Sequence, residues 1–189
     1  SLDIQTTSSY GSANGGNGGN AITGDGSNAI HVVHCLIEKT GNGGTGYVGS
    51  EINPNFPGNG GNGGNGILLK SNCTNTQISS CTIHKTGVSG ARGGSSATSG
   101  ISGHGILSLG QGAQIDNNTI AYTGSKIDIT AIGGLAISCI DTVDPIVYSN
   151  LAHHIAASPA YFFTGGAAVD SPNGTAFTAI TYPLQNIYK

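Results

Sequence analysis

A ten-residue motif that returns at unequal intervals constrains this chain more than any other feature. Val32-Val33-His34-Cys35-Leu36-Ile37-Glu38-Lys39-Thr40-Gly41 comes back as Ile78-Ser79-Ser80-Cys81-Thr82-Ile83-His84-Lys85-Thr86-Gly87. It returns again as Ile115-Asp116-Asn117-Asn118-Thr119-Ile120-Ala121-Tyr122-Thr123-Gly124, and a fainter copy runs from Val147 through Asn150 and Ala152 to Ala156. A constant motif with variable spacers describes like units stacked on one another and joined by loops of different length. Ahead of each copy stands a short apolar stretch: Ala21-Ile22-Thr23, Gly66-Ile67-Leu68-Leu69, Gly105-Ile106-Leu107 and Gly134-Leu135-Ala136-Ile137. Apolar positions two or five apart, rich in β-branched residues and cornered by Gly or Asn, predict short strands interrupted by tight bends, with no helix.

Strands this short bury their apolar side only when repeats stack, each pairing in parallel with its copy one coil on. The alignment predicts one inward column of Val32, Ile78, Ile115 and Val147 and another of Ile37, Ile83, Ile120 and Ala152. Between them runs the column Cys35, Cys81, Asn118, Asn150. This pattern resembles the right-handed parallel β-helix superfold of pectate lyases, phage tailspikes and many bacterial surface proteins, in which Asn often occupies such a bend. The fold expected is all-β, a right-handed parallel β-helix of about four to five coils with Gly/Asn-rich loops leaving from one corner. Its 189 residues form a single domain, with coils over 20–156 and an aromatic-rich segment, 157–189, as a cap or assembly segment. Cys35 and Cys81 then sit about 4.8 Å apart on adjacent coils, a spacing that suits either a disulfide or a column of thiols.

Composition agrees with a repeat protein and narrows its partners. Only 8% of residues are charged and 33 are Gly, yet 37% are hydrophobic and the net charge is -3, which does not match a disordered chain. With one Arg, Arg92, among six basic residues there is no basic stripe for nucleic acid. No apolar run reaches the roughly 20 residues of a membrane helix. The cysteines lack CxxC metal spacing, and His31, His34 and His104 share no spacing, so no metal or cofactor is expected and these histidines read as surface or boundary residues.

The runs Asn14–Asn20 and Gly58–Gly66 repeat every third residue and directly precede the first strand of a coil. They resemble the polyglycine-II-like helices of certain antifreeze proteins and phage adhesin tips, where only Gly lets backbones approach closely. The alternative is a flexible surface loop. Matches to GxGxxG here, as at Gly41, Gly43 and Gly46, lack the following helix that a dinucleotide site needs.

Stacking places Glu38 beside His84 and Lys39 beside Lys85, with His153 and His154 farther along the same columns, and this is the best catalytic candidate. Its alternative is an exposed face of mixed charge. Asp116 stands alone in its column, whereas glycoside hydrolysis needs paired carboxylates. A Thr column, Thr40, Thr86 and Thr123, is the feature that raises ice binding as a minor reading. The reading these features favour is not an enzyme. It is a structural subunit of an extracellular filament, sheath or adhesin, secreted or at the cell surface, with other copies of itself and cell-surface glycans as partners. A small secreted carbohydrate-active β-helix, a lyase or hydrolase, is the alternative. The junction between copies is expected at Tyr161, Phe162, Phe163, Phe177, Ile180, Tyr182 and Tyr188, where an alternating strand would add to an open sheet edge.

Overall fold

A computed structural model describes residues 14–48, 57–125, 127, 131–140 and 145–156, and the backbone of strands at 161–163, 168–170, 175–177 and 187–188. Each coil contributes three strands. The first holds β1 (Ile22–Gly24), β2 (His31–Val33) and β3 (Leu36–Ile37); the second β4 (Ile67–Leu69), β5 (Gln77–Ser79) and β6 (Thr82–His84). The third holds β7 (Ile106–Ser108), β8 (Gln114–Asp116) and β9 (Thr119–Ala121), and the fourth β10 (Ile137–Cys139), β11 (Ile146–Tyr148) and β12 (Leu151–His153). Like strands pair in parallel from coil to coil, so three sheets run the length of a parallel β-helix.

The register is the one the repeat demands. Val32 faces Ile78, which faces Ile115, which faces Val147, and Ile37, Ile83, Ile120 and Ala152 form the second column. Ile67, Ile106 and Ile137 make a third. In the second and third sheets the middle of each three-residue strand points inward, whereas β4 and β7 of the first sheet bury their two ends; Ile78, Ile83, Ile106, Ile115 and Ile120 are fully buried. Burying each such side chain contributes about 1.5–3 kcal/mol, which is how strands of two or three residues persist.

Between the second and third sheets the chain turns through a left-handed residue, His34, Ser80, Asn117 or Ser149, at φ of 51–54°. That conformation is unfavourable for a residue with a Cβ. The next residue in each coil offsets the cost. Asn118 accepts the Cys81 N–H on its Oδ1 and donates its Nδ2 to Ile78 O and to Asn150 Oδ1, forming a buried ladder along the stack. Asn118→Ala leaves the buried Cys81 N–H without its acceptor and cuts the ladder to Asn150, so a loss of about 2 kcal/mol in urea unfolding is expected.

Strand pairing extends past residue 156, where the motif fades from the sequence. β13 (Tyr161–Phe163) pairs with β10, β14 (Ala168–Asp170) with β11, and β16 (Ile187–Tyr188) with β12, all in parallel. β15 (Thr175–Phe177) lies antiparallel on β14. Backbone pairing tolerates the changed side chains, which is why the coil outlasts its signature.

The glycine runs are ordered. Every amide from Gly60 to Gly66 donates a hydrogen bond, and the acceptors rotate among three neighbours: Thr98 O, Gly44 O, Asn17 Oδ1, Ile101 O, Gly41 O, Asn20 Oδ1 and His104 O. That rotation is what an extended helix with three residues per turn produces. The same pattern ties Gly15 and Gly18 to Asn59 and Asn62, Gly43 and Gly46 to Val88 and Ala91, and Gly87, Gly90 and Gly93 to Gly64, Gly61 and Gly58. In the first two coils the chain leaves the third sheet in one such segment and returns to the first sheet in another. The excursions at 38–66, 85–105, 122–136 and 154–160 become steadily shorter along the stack. The third position of each triplet is Asn because its side-chain oxygen accepts the amide of its counterpart one coil on: Asn14 from Asn59, Asn17 from Asn62, Asn20 from Asn65, then Asn59 from Thr98 and Asn62 from Ile101.

Candidate binding groove beside the coils

Two residues beyond the inward Ile37 column the chain must swing from the third sheet into a glycine segment. Lys85, Tyr122 and His154 make that swing at φ of 60°, 54° and 52°. With Lys39 they form one column across four coils, because Ile37, Ile83, Ile120 and Ala152 are in register. The column borders an open groove of about 750 Å³, whose lining also includes Asn42 and Ser125.

Tyr122 is 44% exposed and lies parallel to His154, with ring centroids 4.6 Å apart and planes 7° apart. His84 meets the same tyrosine edge-on at 4.9 Å, and the Nδ1 atoms of His153 and His154 are 3.0 Å apart. Lys39 and Lys85 are exposed and form no ion pair among the described residues, where the salt bridge present is Lys70 to Asp25 at 2.6 Å, on another face. That pairing, together with a hydrogen bond from Asn72, holds the Asp25 carboxyl below its ordinary range.

The proposed acid–base pair does not form. Glu38 lies opposite His84 on the next coil but makes no hydrogen bond among the described residues, and the His84 ring packs on Tyr122. Asp116 is enclosed at 3% exposure, its Oδ2 accepting from Tyr148 Oη at 2.9 Å and Gln114 Nε2 at 2.8 Å while Oδ1 has no partner. This bond raises the Tyr148 phenol above its usual value. A carboxylate so enclosed has no path to a bulky substrate; Asp141 and Asp144 lie outside the described residues.

The Thr column faces inward. Thr40, Thr86 and Thr123 each donate to a glycine carbonyl (Gly64, Gly103, Gly134) and accept an amide from the next coil (Gly87, Gly124, Ala156). The hydroxyls that an ice-binding face would present are already bonded within the chain. His104 is also buried, not at a surface or boundary: desolvation lowers its pKa to about 4, and its Nδ1 accepts the Leu135 amide at 2.9 Å.

All four cysteines are free thiols. Cys81 and Cys35 occupy neighbouring positions of the bend column, and Cys81 Sγ donates to Val32 O and Ser79 O. Burial pushes the Cys81 thiol up and takes Cys139 to about 12, so neither is a ready nucleophile. Of the expected junction residues, Tyr161, Phe162 and Phe163 form β13, Phe177 ends β15 and Tyr188 lies in β16; Ile180 and Tyr182 lie outside the described residues. Among the described residues no three His, Cys, Asp or Glu side chains converge as a metal site, and no helix is long and apolar enough to cross a membrane.

The Tyr122–His154 stack was not foreseen from the sequence, although shifting the Ile37 column by two residues would have exposed it. No family model matches the chain, and no curated protein or solved structure matches it either.

Proposed function

We propose that the chain is a structural subunit of an extracellular filament, sheath or adhesin, joining copies of itself through the ends of the coil stack. The observation that carries this reading is the strand order: β1, β2 and β3 stand at one end of their sheets, and β13, β15 and β16 at the other. Terminal strands offer backbone donors and acceptors to a further chain. The glycine segments support the same reading, because a polyglycine-II-like bundle alongside the coils stiffens the unit against bending. The likeness to pectate-lyase-type surface β-helices and the secreted or surface setting belong to this proposal, with cell-surface glycans as the second partner.

Sedimentation velocity and negative-stain microscopy of the full chain test it. Rods whose length grows with protein concentration are expected, and deletion of residues 176–189 should abolish the growth. Monomers that persist at the highest concentration would overturn the filament reading. Polysaccharide cleavage that Glu38→Gln abolishes would replace it with the carbohydrate-active one.

A further inference from the structure

The geometry points to the Lys39–Lys85–Tyr122–His154 groove as a binding site for an anionic saccharide chain, one whose pyranose rings carry carboxylate or sulfate groups. The inference deepens the adhesive side of the function proposed above and rests on its extracellular setting.

Charge is the first argument. Of the six basic residues in this sparsely charged, net acidic chain, two stand on adjacent coils of one column, about 4.8 Å apart along the axis. Neither meets a carboxylate among the described residues. Like charges held this close repel, and an anionic group between them relieves that repulsion. Alternation is the second argument. Past the two ammonium groups, the same column continues with a stacked phenol and imidazole, so charge and aromatic surface follow one another over about 14 Å of axis. An anionic saccharide presents both complements, a charge for lysine and an apolar ring face for an aromatic side chain. A peptide polyanion presents only the first. Shape is the third. The groove is open at its side and lined by Asn42 and Ser125 as well, so hydroxyl groups along a sugar chain find polar partners.

The backbone also fixes the variants that test it. Lys85 and Tyr122 are left-handed, so Asn replaces either without added strain, and Gln replaces Lys39. Titration calorimetry of the full chain would compare dextran sulfate, carboxymethyl dextran, neutral dextran and polyglutamate. Binding of one or both charged dextrans is expected, with neutral dextran and polyglutamate at least tenfold weaker. Which charged dextran binds tells sulfate from carboxylate recognition. Lys39→Gln with Lys85→Asn should weaken binding at least tenfold, and Tyr122→Asn should weaken it severalfold while the unfolding midpoint of each variant stays near that of the parent. Equal binding of polyglutamate and charged dextran would overturn the saccharide assignment. Unchanged affinity in the double Lys variant would overturn the site. Rod growth is read separately, so monomers that bind defeat only the filament reading, and rods that do not bind defeat only this one.

Discussion

Gly61→Ala is expected to destabilise the protein by about 3–5 kcal/mol, whereas Gly16→Ala, in a run of the same composition, should leave it unchanged or gain a few tenths of a kcal/mol. A Cβ on Gly61 would drive into the carbonyl oxygen of Gly16, closer than any real contact, while a Cβ on Gly16 meets nothing within 4 Å. Relief at position 61 means pushing the segment 14–20 away. That breaks the bonds of Gly15 and Gly18 to Asn59 and Asn62, of Gly44 to Gly16, and of Asn62 to the Asn17 side chain. Each is worth about 1 kcal/mol net, which sets the scale of the loss. Urea unfolding of the two variants decides it; equal midpoints would mean that the glycine segments are not packed in solution.

Acid should weaken the fold through His104. Its folded pKa of about 4 lies below the ordinary 6.5, because the buried ring is costly to charge. The folded state therefore binds fewer protons than the unfolded one between these values. The stability is full above pH 6.5 and is lost as pH falls toward 4. At about 1.4 kcal/mol per pH unit, roughly 2–3 kcal/mol should disappear between pH 7.5 and 4.5. His104 occupies the ladder position of Asn20 and Asn65, its Nδ1 receiving the Leu135 amide as their Oδ1 atoms receive Asn65 and His104. His104→Asn should keep the acceptor and remove that part of the pH dependence. A parent and variant with identical acid profiles would show that His104 does not carry it.

The coils were legible because their information is local and repeated: β-branched residues at fixed offsets can occupy only one column each. Thr86 and Thr123 were harder. Nothing in a Thr-Gly pair states that the chain leaves the sheet at that residue and closes over its hydroxyl. The order in the glycine runs was harder still, since the atoms facing Gly61 and Gly64 are carbonyls of Gly44 and Gly41, and a carbonyl is the same in every residue. The Asn at every third place was the visible trace of that order. His104 escaped notice because its equivalence to Asn65 depends on the register of the excursions, which their unequal lengths conceal. The candidate groove falls between these cases: the repeat alone puts Lys39 beside Lys85 and His154 farther along that column, but it does not show that Tyr122 stacks on His154.

The threefold bonding of the glycine segments gives this molecule an unusual arithmetic of change. In most proteins an exposed excursion drifts in length by single residues. Here one inserted residue turns everything downstream by a third of a revolution, moving an Asn side chain to where a neighbouring carbonyl leaves no space. Within the paired segments, insertions and deletions of whole triplets, matched on the outward and returning arms, are the ones expected to keep this bonding. Length in this half of the molecule is counted in steps where the segments pair: from Asn14–Asn59 to Asn59–Thr98 the spacing of partners falls from 45 residues to 39, a tread two triplets deep.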